Sequence, residues 1–259
     1  MRVAGVDLAA EAAGTAVAVM RVEAGGSGGG RVALESLRLG ADDDALLAAT
    51  RDARLIGIDC AFGWPVDFVE FVGRHASGQR LPDSDAGDLA WRRRLAYRET
   101  DRVVTERTGA RPLSVATDRL GMTALRCAVL LDRLADDGRV VDRSGEHPSA
   151  VVEVYPAMAL RVWGLTRPGY KLAPDARTAL IDDLGRAAPW LDLGLELGEH
   201  RTLMTTSADA LDAVLAALVA LAHERGASIP PAADQRDWAR VEGWIAIPTV
   251  GLAELGAIL

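Results

Sequence analysis

The sequence predicts an α/β protein whose sheet starts as an antiparallel meander and continues with parallel strands. Three apolar segments rich in β-branched residues follow one another at residues 2–8, 14–22 and 31–39, and consecutive strands of this kind typically pair as a meander. A helical pattern over 42–52 then separates them from a short apolar strand at 55–60. A helix between two strands is the usual crossover of a parallel pair, so a parallel connection is expected here.

The remaining chain predicts further helices and two more strands. Residues 66–145 are mostly helical and polar, and a buried strand at 151–155 follows. Beyond it the patterns predict helices at 157–164, 175–187 and 207–224 and a strand at 243–247. The glycine-rich stretch 24–30 precedes a strand and not a helix, so we interpret it as a surface hairpin loop and not as a phosphate-binding loop. We expect one domain over residues 1–259, with a helical insertion at about 66–145.

Composition narrows the class of protein. The chain has 259 residues, 49% of them hydrophobic, which is enough to bury a core without disulfides. The formal net charge of −8 argues against a generally basic nucleic-acid binder but leaves room for a local basic patch.

Cys60 and Cys127 show no metal-binding spacing and are expected to be buried, reduced thiols. Neither a signal peptide nor a membrane-spanning apolar run is apparent, so a cytoplasmic protein without membrane contact is expected.

Two strands of the sequence share one form. The segments VAGVD and LIGID each place a glycine two residues before a terminal aspartate, Asp7 or Asp59. A carboxylate is costly to bury without a partner, and the carboxyl ends of strands in α/β sheets are where ligands bind. A divalent cation would compensate both charges, and oxygen ligands favour Mg²⁺ or Mn²⁺.

Three more acidic residues lie on apolar elements. Glu153 interrupts the strand VVEVY, and Asp209 and Asp212 lie three residues apart on the long helix, hence on one face. Simpler interpretations exist for each: a strand-terminal Asp caps a turn, Asp209 stabilises a helix N-terminus, Asp212 faces solvent, and Glu153 pairs with an arginine. The coincidence of several such residues favours a shared site, because buried charges are normally paired or bound to metal.

These residues carry a resemblance to a known family. The first hairpin, GVDLAAEAAGTAVAV, and the helix SADALDAVLAALVALAH resemble the corresponding parts of RuvC-type resolvases and other RNase H-like nucleases. The whole chain resembles the domain of unknown function 429 family, described as predicted nucleases of RNase H fold. The matching pieces are GVDLA at 5–9, GIDCAFGWP at 57–65, YRETDR at 97–102, EVYPA at 153–157, YK at 170–171, DALDA at 209–213 and EGWIAIP at 242–248.

The resemblance implies an RNase H-like mixed five-stranded sheet flanked by helices, with three antiparallel strands followed by two parallel ones. It implies that Asp7, Asp59, Glu153 and Asp209 are catalytic, with Asp212 as a further metal ligand beside Asp7, Asp59 and Asp209. The chain departs from the RuvC-like pattern at Thr206, where an acid is often found. This departure puts a two-metal arrangement in doubt.

An arginine-rich segment lies inside the helical insertion. Residues 91–112 carry seven arginines against three acids, and arginine suits bidentate phosphate contacts. A solvated helix with Glu–Arg pairs explains the composition equally well. The YRETDR motif of the resemblance points to Arg98, Asp101 and Arg102 as substrate-binding residues. Two further candidates for substrate binding lie elsewhere, at Tyr155 and Lys171.

The leading functional hypothesis is a metal-dependent nuclease or related phosphodiester hydrolase that uses carboxylate-bound Mg²⁺ or Mn²⁺. Its partner would be nucleic acid or a phosphorylated small molecule. One alternative is a nucleotide-binding phosphotransferase or ATPase on the same type of fold, for which Gly14 and Thr15 after Asp7 offer a loose phosphate cradle. Another is a non-catalytic binding module, because fold resemblance alone does not fix function.

Overall fold

The computed structural model describes residues 1–23, 30–80, 87–146, 148–194 and 198–259. Within these residues the strands form one open mixed sheet in the order β5-β4-β1-β2-β3-β6. The strands are β1 (Arg2–Asp7), β2 (Ala16–Glu23), β3 (Arg31–Leu39), β4 (Leu55–Asp59), β5 (Val151–Glu153) and β6 (Leu191–Asp192). Most of the predicted glycine-rich loop lies outside the described residues.

The pairing follows the predicted order. β1, β2 and β3 form an antiparallel meander, and β4 and β5 continue the sheet as parallel strands beside β1. The prediction of five strands was wrong by one, because β6 adds a parallel pair to β3. A strand of two residues is too short to produce a periodic pattern. The predicted strand at 243–247 is also corrected: it contributes an isolated bridge between Ile245 and Glu153.

Helices cover both faces of the sheet. In the described residues they are α1 (Asp43–Thr50), α2 (Val66–Ala76), α3 (Leu89–Ala96), α4 (Glu99–Thr108), α5 (Gly121–Asp136), α6 (Pro156–Val162), α7 (Pro174–Ala187), α8 (Glu199–Thr206), α9 (Ala208–Glu224), α10 (Arg236–Glu242) and α11 (Leu252–Ala257). One apolar cluster joins α9 to the sheet, and a second joins α1 and α5 to the opposite face. The predicted insertion corresponds to α2–α5, between β4 and β5.

Helix α9 approaches the sheet closely because two glycines face it. Gly5 and Gly57 are paired in register on β1 and β4. A Cβ atom at Gly5 would lie 2.1 Å from the carbonyl oxygen of Ala213, and one at Gly57 would lie 2.6 Å from that of Ala216. Any side chain would therefore push the helix away. The glycine two residues before each aspartate positions α9, whose first turns carry Asp209 and Asp212, against the strands that end in Asp7 and Asp59.

Helix α9 is also the most apolar helix, and nearly all of it is buried in the core. Among the described residues, no single helix has both the length and the apolar composition of a membrane span. Only α8 and α9 taken together, across a bend of 110°, meet those two criteria.

Candidate active site

The two strand-terminal aspartates are direct neighbours. Asp7 and Asp59 occupy paired positions at the ends of the parallel strands β1 and β4, so both side chains belong to the carboxyl edge of the sheet. They line a cleft of about 340 Å³ whose wall also includes Tyr155, Lys171 and Pro112. We predict that the carboxylates of Asp7, Asp59 and Asp209 converge within metal-bridging reach at this edge. The strand register places Asp7 and Asp59 there together, and the convergence of all three stays a prediction.

The cleft holds more negative charge than its walls compensate. Burial raises the pKa of Asp7 well above its usual range, and the charge of Asp59 raises it further. Burial likewise raises the pKa of Asp59 to about 7, although the Lys171 ammonium opposes this shift. Asp209 adds a smaller upward effect on the pKa of Asp7. Two adjacent carboxylates that resist ionisation are a site to which a cation would bind favourably.

Asp212 is held by two neighbours from the loop between α6 and α7. It is fully buried, accepts a hydrogen bond from the Tyr170 hydroxyl at 3.2 Å and forms a salt bridge with Lys171, whose side chain is about half exposed at 49%. Asp212 therefore does not face solvent, which excludes one of the simpler interpretations. The Lys171 ammonium is a cation supplied by the chain itself next to the strand-terminal carboxylates.

The carboxylates do not form a closed metal cage. In the described part of the chain, no group of three or more His, Cys, Asp and Glu side chains is arranged to hold a metal ion. Mg²⁺, however, is commonly bound through one or two carboxylates, with waters and substrate phosphates as the other ligands. The pair of Asp7 and Asp59 fits that mode. Metal binding by Asp7, Asp59, Asp209 and Asp212 stays a prediction.

Glu153 belongs to a second group of buried charges. Its carboxylate accepts hydrogen bonds from Arg98 at 2.7 and 2.9 Å and from the backbone N–H of Phe62 at 3.0 Å. Arg98 also contacts Asp101 at 2.9 Å and donates to the carbonyl oxygen of Glu242 at 3.0 Å. The interpretation of Glu153 as an arginine partner is the one the contacts support.

This network corrects the expected role of Arg98. The side chains of Arg98, Asp101 and Glu153 are exposed by only 3%, 1% and 2%. Burial opposes the charged form of Arg98, but Glu153 and Asp101 outweigh it and raise the pKa of the guanidinium. Because its donors are committed to carboxylates, Arg98 has none to offer a phosphate. Asp101 instead accepts from the backbone N–H of Arg98 at the start of α4.

Sequence analysis missed Glu242, the last residue of α10. Its carboxylate accepts from the backbone N–H groups of Val66 and Glu99, at 2.8 and 2.7 Å, and so joins the first residues of α2 and α4. The following residue, Gly243, has a φ of +89°, and a Cβ atom there would lie 2.5 Å from Glu153. The signal was present in the EGWIAIP motif, which begins with an acidic residue next to a glycine.

Comparison with known proteins gives one match. Residues 5–236 match the model of a family described as "Protein of unknown function (DUF429)". The chain belongs to this family. The resemblance to that family is therefore confirmed, although the EGWIAIP motif lies beyond the matched range. No curated protein and no solved structure matches the chain.

A second concave surface of this family member lies beside the acidic cleft. We call it the arginine groove: a space of about 660 Å³ between α3, α4 and the segment after α4. Its lining includes Arg93, Arg94, Tyr97, Arg102 and Arg111. All five belong to the arginine-rich segment 91–112, in which the sequence assigned Arg102 to substrate binding and Tyr97 to a stacking surface. The side chain of Arg102 is 44% exposed and donates to Glu99 and to the carbonyl oxygen of Tyr97.

The hairpin after β1 is occupied by internal contacts. Thr15 is fully buried, and its hydroxyl donates to the carbonyl oxygen of Glu11 and accepts from the backbone N–H of Ala9 and from Arg126. A hydroxyl with these partners has no donor left for a phosphate. The loose phosphate cradle suggested by Gly14 and Thr15 therefore has no support in the geometry.

Proposed function

We propose that the protein is a metal-dependent phosphodiester hydrolase, a nuclease with an RNase H-like fold. The observation that carries the proposal is the in-register pair Asp7 and Asp59 at the carboxyl edge of the sheet, on the wall of a cleft of about 340 Å³. The antiparallel meander followed by parallel strands supports the fold assignment. No comparable support exists for a phosphotransferase, because Thr15 is committed to internal contacts.

Four residues that line the cleft, and two residues in contact with one of them, have roles in this proposal. Asp7 and Asp59 would hold Mg²⁺ or Mn²⁺, which when bound activates water and polarises the phosphate. Lys171, half exposed beside them, would donate a hydrogen bond to a phosphate oxygen. Asp212 and Tyr170 position Lys171 through the salt bridge and the neighbouring hydrogen bond. Tyr155 lines the same cleft, where its hydroxyl would orient the substrate.

The test measures metal binding and diester hydrolysis in parallel. Isothermal titration calorimetry with MgCl₂ and MnCl₂ would be run on the wild type, Asp7→Asn and Asp132→Asn, the last being an exposed aspartate on α5. Hydrolysis of bis(4-nitrophenyl) phosphate would be followed in the same samples. We expect Asp7→Asn to lose metal binding and to lower hydrolysis by at least about 100-fold, since a rate change of this size is typical for a lost metal-activated nucleophile. Asp132→Asn should match the wild type.

Three outcomes would overturn the proposal. If Asp7→Asn bound metal as tightly as the wild type, Asp7 would not belong to a metal site. Metal binding without hydrolysis of any diester would reduce the protein to a binding module. Hydrolysis of ATP in the absence of diester cleavage would favour the phosphotransferase or ATPase alternative.

A further inference from the structure

The arginine groove concentrates positive charge on a chain whose net charge is −8. Four arginines line it, against the acidic side chains of Asp101 and Glu106. The charge of Asp101 is already compensated by Arg98 in the buried network. Arg93 and Arg111 are exposed and form no salt bridge with a described residue. Among the described residues, Arg93 and Arg111 therefore present guanidinium groups to the groove without a carboxylate partner, which is the chemistry of an anion-binding surface.

The groove adjoins the acidic cleft. Pro112 lines both spaces, and Arg98 and Asp101, which are salt-bridged to each other, line one space each. A ligand with one end at Asp7 and Asp59 would have to pass Pro112 to reach the groove. The acidic cleft contains the carboxylates of Asp7 and Asp59, and the arginine groove contains four arginines.

We infer that the substrate is single-stranded nucleic acid, whose scissile phosphate lies at Asp7 and Asp59 while flanking phosphates lie in the arginine groove. This inference rests on the proposed function and deepens it. The part of the substrate away from the carboxylates has to be anionic in order to complement Arg93 and Arg111, which form no salt bridge with a described residue. The repeating phosphates of an oligonucleotide supply this charge, whereas the base and sugar of a single nucleotide do not.

The shape of the site favours a single strand. The carboxylates lie inside a cleft of about 340 Å³ and not on an open face, so the strand that reaches them has to bend locally, and a duplex resists such bending. Unpaired nucleotides allow this, and their bases can stack on aromatic side chains. Tyr97, exposed at 37% on the wall of the groove, offers such a face. A stacked duplex keeps its bases inside and presents a regular backbone that does not enter two adjoining concave spaces.

The experiment compares two double variants of equal charge. Arg93→Ala/Arg111→Ala removes the two groove arginines without salt bridges. Arg92→Ala/Arg107→Ala removes two exposed arginines of α3 and α4 that do not line the groove. Binding of a 5′-fluorescein-labelled eight-nucleotide single-stranded DNA would be measured by anisotropy in EDTA, over a series of salt concentrations. Melting curves of both variants would confirm that they fold.

We expect the groove variant to bind at least about tenfold more weakly at low salt, with a salt slope smaller by about 1.4, since each phosphate contact on a single strand contributes about 0.7. The control variant should stay within about twofold of the wild type. With Mn²⁺ present, the groove variant should cleave the oligonucleotide more slowly but hydrolyse bis(4-nitrophenyl) phosphate at the wild-type rate, because that small diester does not reach the groove.

The outcomes separate this inference from the proposed function. Equal losses in both double variants would overturn the groove, since overall charge would explain the binding, while Asp7-dependent diester hydrolysis would still support the hydrolase. Groove-dependent binding without hydrolysis of any diester would support the groove as a binding surface for a single strand and would overturn the hydrolase. Duplex DNA binding as tightly as the single strand, or equally effective competition by poly-glutamate, would overturn the assignment of single-stranded nucleic acid.

Discussion

Two groups of buried carboxylates lie at the same edge of the sheet, and they differ in how their charge is compensated. Glu153 and Asp101 share Arg98, which meets them through several hydrogen bonds and is itself enclosed. Asp7, Asp59 and Asp212 share one cation, Lys171, whose side chain is about half in solvent. The first group satisfies its members internally. The second leaves acidic groups facing a cleft. Burial raises the pKa of Glu153 as well as those of Asp7 and Asp59, so the two groups differ in their partners and not in the direction of the shift.

The difference separates a structural role from a functional one. A fully paired ion network holds chain segments together, and here it joins the N-terminus of α4, the end of α10 and the strand β5 through Arg98. An uncompensated carboxylate pair costs stability, and such a cost persists at sites where an external ligand supplies the missing charge. Burial of acidic residues alone would not distinguish the two groups; the partners of each carboxylate do.

The largest expected effect is the loss of Arg98. Arg98→Ala would leave Glu153 and Asp101 buried without a counter-charge, which should lower the free energy of unfolding by about 3–5 kcal/mol. Arg102→Ala removes an exposed arginine of the same helix and should cost no more than about 1 kcal/mol. Chemical denaturation of both variants checks the contrast. If the two losses were equal, the network would not be the structural anchor that its contacts indicate.

The second effect concerns the pH dependence of the acidic cleft without metal. The pKa of Asp59 is about 7 in the folded protein and 3.8 in the absence of burial. At a pH between these two pKa values, Asp59 keeps its proton in the folded state and has lost it in the unfolded state. The contribution of Asp59 to stability is therefore greatest below about pH 4 and is lost as the pH rises to 7, by at most about 4 kcal/mol.

Asp59→Asn should remove the part of the loss of stability with rising pH that Asp59 causes. Mg²⁺ should reduce that loss in the wild type. Thermal melting in EDTA from pH 4 to pH 8, with Asp132→Asn as the control, measures the difference between the two curves. A wild-type curve that stays flat relative to Asp59→Asn would mean that burial does not disfavour the charged form of Asp59. In that case the comparison between the two groups would lose its physical basis.

The sequence predicted the sheet better than it predicted the partners of the charges. The glycine–Asp pattern of VAGVD and LIGID located the strand ends correctly. The close approach of α9 requires the two glycines, and each aspartate is the last residue of its strand. Arg98 was assigned to phosphate because composition indicates charge and not burial. Its contacts with Glu153 and Glu242 span 55 and 144 residues, and such distant contacts leave no local pattern. Arg93 and Arg111 were not singled out because composition does not show which arginines of segment 91–112 line one concave surface.

The smallest expected effect tests whether Tyr170 belongs to the positioning of Lys171 and Asp212 and not to metal binding. Its hydroxyl donates to the buried carboxylate of Asp212 at 3.2 Å. Tyr170→Phe removes this one hydrogen bond and should cost about 1 kcal/mol of stability. Tyr97→Phe, which alters an exposed tyrosine, should change stability by less than about 0.5 kcal/mol. Calorimetry should show the Mg²⁺ affinity of Tyr170→Phe within about threefold of wild type, because a change of 1.4 kcal/mol would be needed for tenfold. A loss of metal binding as complete as that expected for Asp7→Asn would instead place Tyr170 and Asp212 within the metal site. Their role would then be metal binding and not the positioning of Lys171.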